Sequence, residues 1–167
     1  MIAQTTIREE RPGDEDAIRA LTAAAFENAP HASGTEARIV DALRRDGDLA
    51  LSLVAEADGS IVGHVAFSPV RIDGQDGAFG LGPVSVVPDH QRRGIGRALI
   101  EEGLARLTDR RALACVLIGD PGYYARFGFR AGALTCRDVP LAYVQGTALS
   151  GPPPRGEIAY APGFDAA

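Results

Sequence analysis

Apolar residues in the first third of the chain recur at spacings that predict one strand followed by two helices. Residues 3–9 predict a short strand. A helix is predicted to start at residues 12–14, where proline, glycine and aspartate precede a helical repeat, and a second helix from about 35 to 47. The apolar positions that carry the two helical patterns are Ile18, Leu21 and Ala25 in the first, and Ile39, Val40 and Leu43 in the second.

The middle of the chain is richer in alternating apolar residues and predicts more strands. Residues 49–72 predict two strands joined by a hairpin turn at Asp58-Gly59. The elements predicted after them are a turn at 73–77, a strand at 78–88, a helix over 96–109, a buried strand at 112–119, a short helix at 121–127, a strand from Phe129 and a last strand at 157–161.

This order predicts an α/β (α+β) fold with one mixed, mainly antiparallel sheet flanked by helices. The only strand–helix–strand crossover lies within residues 80–119. No internal repeat or linker divides the sequence, so residues 1–167 are predicted as a single domain. Its core spans about residues 3–135, and residues 136–167 add C-terminal strands and a loop.

The charged residues narrow the possible functions. All 17 basic residues are arginine, which excludes Schiff-base chemistry and a Walker-A phosphate site because both use lysine. The net charge of −5 makes nucleic-acid binding unlikely. A weaker hypothesis of a tRNA or ribosome modifier stays open because a local basic patch is possible, formed by Arg92, Arg93, Arg97, Arg110 and Arg111.

The apolar segments and the cysteines favour a cytoplasmic protein without a metal. No run of about 18 apolar residues predicts a membrane span, and the N-terminal residues lack the pattern of a signal peptide. The sequence has two cysteines, Cys115 and Cys136, and neither belongs to a metal-binding spacing. We therefore expect a cytoplasmic location, no metal and no membrane partner.

A loop with two glycines, residues 86–99, is the strongest chemical signal. It reads VVPDHQRRGIGRAL, with Gly94 and Gly96 at the start of the predicted helix. A dinucleotide fingerprint is excluded because Leu99 stands at its third glycine position and the approach loop is long. A cradle for a phosphate group, formed by free backbone N–H groups of the helix start, fits better, while a simple solvated turn remains the alternative.

The sequence resembles the GCN5-related N-acetyltransferase (GNAT) family. Residues 91–96 match its Q/R-x-x-G-x-G/A motif, and residues 120–129 are similar to its Y-x-x-x-G-F segment. Residues 151–164 further resemble the end of the YhbS-like branch. The resemblance implies a sheet splayed between its fourth and fifth strands, and acetyl-CoA as the acyl donor.

The resemblance also implies the roles of individual residues. Tyr124 takes the position of the family's general-acid tyrosine, whereas Tyr123 would point elsewhere. The main chain of Val84, Ser85 and Val86 would meet the thioester; the Ser85 side chain reads more simply as an ordinary strand serine. The residues expected to hold the cofactor's pyrophosphate are Gln91, Arg92, Arg93, Gly94, Ile95 and Gly96, with Arg97 as an accessory.

The base that neutralises the amine is not assigned. The candidates are His64, Glu36, Glu56 and His90, and ordered water is a further alternative.

The leading hypothesis is direct acetyl transfer, in a ternary complex, to a primary amine of a small molecule or peptide; the alternative is an acyl-CoA-binding sensor without transferase activity. Acceptor specificity is expected in residues 28–34 and the last strands, whose edges would also permit a homodimer.

Overall fold

The computed structural model describes residues 4–27, 29 and 33–166 and has the predicted mixed α/β fold. Four α-helices and nine strands follow one another in the described part of the chain. In order they are β1 (Thr5–Glu9), α1 (Glu15–Phe26), α2 (Glu36–Asp46), β2 (Leu51–Ala57), β3 (Ser60–Ile72), β4 (Gln75–Val86), α3 (Ile95–Asp109), β5 (Ala114–Ile118), α4 (Pro121–Tyr124), β6 (Arg130–Ala131), β7 (Leu134–Thr135), β8 (Val144–Ala148) and β9 (Gly156–Ala159).

Local sequence signals explain where several of these elements begin and end. Helix α2 ends at Gly47, whose left-handed backbone (φ 77°) lets its N–H bond the carbonyl of Arg44. Asp58 and Gly59 both have positive φ, as the predicted tight hairpin between β2 and β3 requires. A second turn of the same kind joins β3 to β4 at residues 73–74, so β4 begins earlier than predicted.

The chain forms two compact units, and the first contains Met1–Phe67, Gly82–Gly103 and Pro162–Ala167. Its strand order is β1-β2-β3-β4. On one sheet face Val54 packs against Ile18 of α1 and Val40 of α2. On the other face α3 approaches β3 so closely that a Cβ atom added at Gly63 would lie 3.0 Å from Ile95 and Leu99.

The second unit contains Ser68–Leu81 and Leu104–Ala161. Strand β4 runs parallel to β5, and their ladder covers only three residues of each strand, from Ala78 opposite Ala114 to Gly80 opposite Val116. Strand β8 lies antiparallel to β5, and β6 lies antiparallel to β8. The core of this unit consists of Val70, Ala78, Ala114, Val116, Leu134, Cys136, Val144 and Ile158.

The sequence-based prediction of the C-terminal strands was incomplete. Strand β8 was missed, although it is the partner of β5 along its whole length. The predicted strand from Phe129 is only the two-residue β6. Strand β5 is buried over Ala114–Leu117, but Ile118 is 44% exposed, so the burial predicted for this strand stops one residue before its end.

Replacing Gly63 with valine is expected to destabilise the first unit. The added side chain has no room beside Ile95 and Leu99, and overpacking of this kind costs about 1–3 kcal/mol. Urea unfolding measures the effect, with Ser60→Val at the exposed start of the same strand as control. Equal midpoints for the two variants would contradict the close approach of α3 to β3.

Candidate functional site

The loop between β4 and α3 is tied to the end of β4 by hydrogen bonds. The side-chain amide of Gln91 donates to the carbonyl of Val86 at 2.9 Å. The N–H of Val87 donates to the carbonyl of Val62 in β3, also at 2.9 Å. Residues 88–90 form one turn of 3-10 helix between these contacts. The first of the predicted cofactor-binding residues, Gln91, therefore holds the loop in place through its side chain.

Two residues of the loop adopt the left-handed backbone conformation. Arg92 has a φ of 65° and Gly94 has a φ of 83°. Within the described residues no atom lies within 4 Å of a Cβ built on Gly94, so glycine is needed here for its backbone conformation and not for lack of space. The open space in front of Gly94 leaves its backbone accessible to a ligand.

The first turn of α3 presents free backbone N–H groups. The first intrahelical hydrogen bond runs from the N–H of Ala98 to the carbonyl of Gly94 at 3.0 Å. The N–H groups of Ile95 and Gly96 therefore have no intrahelical acceptor. The first turn contains no acidic residue, and the positive end of the helix dipole favours an anion there. Ile95 itself is buried and anchors this turn to the core.

The arginine side chains contribute less than the backbone. Arg97 donates from Nε to Glu101 at 2.7 Å in an exposed pair, so part of its charge is neutralised. Arg92 and Arg93 are exposed and have no ion pair with any of the residues that the structure describes. Their charges lie in solvent, where each helix-end contact is worth only about 0.3–1 kcal/mol.

The last residues of β4 lie beyond the short ladder with β5. Val84, Ser85 and Val86 follow Gly80, the last residue of β4 that pairs with β5. The side chain of Ser85 is buried, and its hydroxyl donates to Thr22 of α1 at 3.5 Å, at the long limit for a hydrogen bond. The Ser85 hydroxyl is thus turned toward α1, while the main chain of this segment is free of β5.

Tyr124 lies in the second unit, whereas the other predicted site residues lie in the first. The carboxylate of Asp120 accepts the N–H of Gly122 at 2.9 Å and thereby starts the short helix that carries the tyrosine. The Tyr124 ring contacts Tyr123 edge-on, with ring centroids 4.9 Å apart. Burial raises the pKa of Tyr124 to about 12, so its hydroxyl stays protonated at neutral pH.

Two of the four candidate bases, Glu36 and Glu56, already have strong polar partners. The Glu36 carboxylate accepts hydrogen bonds from Ser33 and Gly34; burial raises its pKa, but these bonds outweigh it and lower the pKa below its ordinary value. Glu56 is paired with Arg8 at 2.7 Å. His90 lies in the 3-10 turn beside the loop, and its Nδ1 atom is buried without a hydrogen-bond partner among the described residues.

The fourth candidate, His64, is fully buried in β3. Its Nε2 atom lies 2.8 Å from the hydroxyl of Ser52, which donates to Glu10 at 2.8 Å. Burial lowers the pKa of His64 to about 4, so the ring is neutral at physiological pH. Sequence analysis missed Ser52, Glu10 and the Arg44 that pairs with Glu10, because their contacts join segments far apart in the chain.

A cavity of about 700 Å³ lies between α1 and α2. Most of the loop predicted to hold acceptor specificity, residues 28–34, falls outside the described residues. The described part of the lining comes from α1, from α2 and from residues 29, 33 and 34 of this loop. It has two carboxylates, Glu27 and Glu36, and no basic residue among its described lining. The described residues that line it are Thr22, Ala23, Ala24, Phe26, Glu27, Ala29, Ser33, Gly34, Glu36 and Ala37.

Over residues 4–27, 29 and 33–166, no group of three or more histidine, cysteine, aspartate or glutamate side chains is arranged to hold a metal ion. No helix in the same part of the chain has the length and apolar character needed to cross a bilayer.

Comparison of the sequence with known proteins connects this geometry to one family. A family model described as an acetyltransferase (GNAT) domain matches residues 6–132. The chain is also 43% identical over 136 residues to the uncharacterized N-acetyltransferase YhbS of Escherichia coli K12. The alignment covers 78% of this chain and 78% of that protein.

Two solved structures are similar along almost the whole chain. A GNAT family acetyltransferase from Brucella melitensis, in complex with acetyl-CoA, is 49% identical with a TM-score of 0.87, covering 98% of this chain and 100% of that one. Escherichia coli YhbS, in complex with CoA, is 36% identical with a TM-score of 0.89, covering 99% and 94%. Both relatives therefore share the fold and bind the same class of cofactor.

The buried neutral His64 is expected to make the fold sensitive to acid. Its pKa is about 4 in the folded chain and near 6.5 when unfolded, so below about pH 6.5 only the unfolded chain gains the proton. From about pH 7 to pH 5 the free energy of unfolding should fall by about 2 kcal/mol from this group. Urea unfolding across pH checks this against His64→Gln, which should lose that part of the slope. An identical slope in the variant would contradict it.

Proposed function

The chain belongs to the GNAT acetyltransferase family, and on that premise we propose that it transfers an acetyl group from acetyl-CoA to a primary amine of a small molecule or peptide. The amine attacks the thioester directly in a ternary complex. The observation that supports the proposal is the loop and helix start at residues 91–96, where left-handed backbone and the first N–H groups of the helix favour an anion.

In this proposal the backbone holds the pyrophosphate of acetyl-CoA. The N–H groups of Ile95 and Gly96 donate to phosphate oxygens, and the open backbone at Gly94 lets the anion approach. Several such contacts together support micromolar affinity, which corresponds to about −8 kcal/mol. The side chain of Gln91 holds the loop in place, and the side chains of Arg92, Arg93 and Arg97 add a weaker positive electrostatic potential.

The main chain of Val84, Ser85 and Val86 is proposed to meet the pantetheine arm and the thioester. These residues follow the part of β4 that pairs with β5, so their main-chain groups on that side are free for a ligand. A backbone N–H directed at the thioester oxygen would stabilise the negative charge that develops when the amine attacks.

Tyr124 is proposed to stabilise the departing thiolate, on the strength of the family motif that it matches. A pKa of about 12 lies well above the 8.5 or so of a free thiol, so complete proton transfer from the phenol to the thiolate is unfavourable. The phenol instead acts as a hydrogen-bond donor. The proton that finally reaches the thiolate comes from the amine.

The cavity between α1 and α2 is proposed to receive the amine. Its volume of about 700 Å³ lies in the range of small-molecule sites. The carboxylates of Glu27 and Glu36 favour a substrate that arrives as an ammonium ion, and Phe26 and the alanines of the lining favour an apolar group next to it. Thr22 links this cavity to Ser85 through their hydroxyls.

A cytoplasmic location is part of the proposal. The proposed donor, acetyl-CoA, is a cytoplasmic metabolite. Cys115 and Cys136 are both free and buried, as is usual for proteins of a reducing compartment.

Gly94→Val is expected to abolish acetyl-CoA binding, because the side chain strains the left-handed backbone and blocks the anion. Arg92→Ala should weaken binding only about two- to fivefold, since an exposed charge contributes little. Isothermal titration with acetyl-CoA measures both. Gly59→Val is the matched control, because Gly59 also has a left-handed backbone (φ 77°) with open space around it but lies in a remote hairpin. Equal affinities for Gly94→Val and Gly59→Val would refute the cradle.

Tyr124→Phe is expected to lower kcat about 10- to 100-fold while the Kd of acetyl-CoA stays unchanged, because a hydrogen bond to a charged atom is lost. Release of free thiol with a panel of amines measures turnover. Tyr123→Phe is the control, since the Tyr123 ring is engaged with the Arg126 guanidinium 4.5 Å from its centroid. Tight acetyl-CoA binding by the wild-type chain with no acetylation of any amine would favour the acyl-CoA sensor.

A further inference from the structure

Four polar side chains form a hydrogen-bonded chain in the first unit, remote in sequence from the cofactor loop. Nε2 of His64 lies 2.8 Å from the hydroxyl of Ser52, and that hydroxyl donates to Oε1 of Glu10 at 2.8 Å. Arg44 holds the same carboxylate with two bonds, from Nη2 to Oε1 at 2.8 Å and from Nε to Oε2 at 3.0 Å. The chain connects a fully buried imidazole to a partly exposed ion pair.

The directions of these bonds determine which nitrogen of His64 carries the proton. Burial raises the pKa of Glu10, but hydrogen bonds from Arg44 and Ser52 outweigh it and lower the pKa, so the carboxylate is ionised and accepts the Ser52 proton. The Ser52 oxygen must then accept from Nε2–H of His64. Because the ring is neutral, Nδ1 carries the free lone pair. Nδ1 is buried and has no hydrogen-bond partner among the described residues.

The Glu10 end of this chain opens to solvent. Glu10, Arg44 and Ser52 all line a cavity of about 290 Å³, far larger than the roughly 30 Å³ that one water molecule occupies. The remaining walls are Glu9, Gly47, Leu49, Ala50 and Leu51. Solvent in this cavity reaches the carboxylate, so its charge is screened at one side and held by Arg44 at the other.

The His64 end lies next to the segment proposed to meet the thioester. The hydrogen bond from the N–H of Val87 to the carbonyl of Val62 aligns β3 with the end of β4. His64 lies two residues after Val62, and Ser85 lies two residues before Val87. Because the two strands run antiparallel, His64 and Ser85 lie opposite each other. Residues opposite each other in such a ladder have Cα atoms about 4.5–5.5 Å apart.

His64 and Ser85 also share one face of the sheet. His64 is opposite Val54, which packs against Ile18 of α1 and Val40 of α2. The Ser85 hydroxyl faces Thr22 of α1 and, through it, the cavity of about 700 Å³. The free lone pair of His64 is therefore on the side of the sheet where the proposed amine would enter.

We infer that His64 accepts at Nδ1 the proton that the attacking amine loses, with Ser52 and Glu10 as positioning residues that orient the ring and stabilise its charge. This inference rests on the proposed transferase function. In the step an N–H bond of the tetrahedral intermediate breaks and an Nδ1–H bond forms. Nε2 keeps its proton and its bond to Ser52. The leaving thiolate takes the Nδ1 proton, which restores the neutral ring.

Burial disfavours the imidazolium form of His64, so this ring could hold an added proton only briefly. Among the charged groups near it, the Glu10 carboxylate favours the imidazolium and the Arg44 guanidinium opposes it. Arg44 is itself shared with Asp41 at 3.1 Å, which offsets part of its charge. At neutral pH the lone pair is fully available, and the ammonium of a tetrahedral intermediate is a much stronger acid than the free ammonium ion.

Substitution of Ser52 tests the inference without changing any charge. Ser52→Ala disconnects His64 from Glu10 and should lower kcat about tenfold, with the Kd of acetyl-CoA unchanged and a larger solvent isotope effect on kcat. Ser52→Thr keeps the hydroxyl and should recover most of kcat. Glu10→Gln should lower kcat similarly. Glu56→Gln, which disrupts a comparable glutamate–arginine pair outside this chain, should stay within twofold of the wild type.

The results separate this inference from the proposed function. If the wild-type chain acetylates an amine and Ser52→Ala and Glu10→Gln match Glu56→Gln in kcat and isotope effect, His64 is not the proton acceptor, while the transferase assignment stands. If the wild-type chain binds acetyl-CoA but acetylates no amine, both fail. Nitrogen-15 NMR gives a readout independent of activity, because the chain has only three histidines and His64→Gln assigns the signal. A proton found on Nδ1 in the free protein would overturn the inference.

Discussion

The candidate cofactor loop depends on the packing of α3 against β3. Ile95 and Leu99 lie against the backbone of Gly63, where a larger residue has no room. This contact brings the first turn of α3 close to the sheet and leaves its N–H groups at the surface, directly after the loop that Gln91 ties to Val86. The geometry of the anion site therefore originates in an apolar contact, and the polar groups around it are positioned as a consequence.

The first unit contains two electrostatic features of different kinds. At the start of α3, fixed backbone dipoles provide positive potential that needs no side-chain ordering and does not titrate. In the same unit, a buried imidazole, a hydroxyl and a carboxylate form a hydrogen-bonded chain. The first arrangement suits an anion that must stay bound, and the second suits a charge that is present only briefly.

Much of the fold and of the cofactor loop was predictable because the signals are local. The hairpin at Asp58-Gly59 and the helix after Gly94 follow from short segments, and the resemblance to the GNAT family is confirmed by the comparisons. Strand β8 escaped prediction because its five residues, VQGTA, contain a central glycine and only one large apolar side chain, Val144. It forms because β5 and β6 offer it hydrogen-bonding partners on both sides, which is information that no local pattern holds.

The hydrogen-bonded chain that starts at His64 could not be predicted from the sequence for a different reason. Strands β2 and β3 contain a register shift between Ala55 and Glu56. Counting from the hairpin turn without this bulge would put Ser52 opposite Val65 and so on the face away from His64, whereas the observed register puts it opposite Ala66 and on the same face. One extra residue decides whether the two side chains can meet. The predicted roles of Tyr124 and of residues 84–97 remain predictions, since they concern a ligand.

The short ladder between β4 and β5 has a consequence for the association and the stability of the protein. Backbone groups at the end of β4 that find no partner on β5 resemble an exposed sheet edge, which invites association with other chains. A ligand bound along this edge would protect it and would raise the free energy of unfolding with the logarithm of its concentration. The folded fraction of the protein would then depend on how much of such a ligand is available.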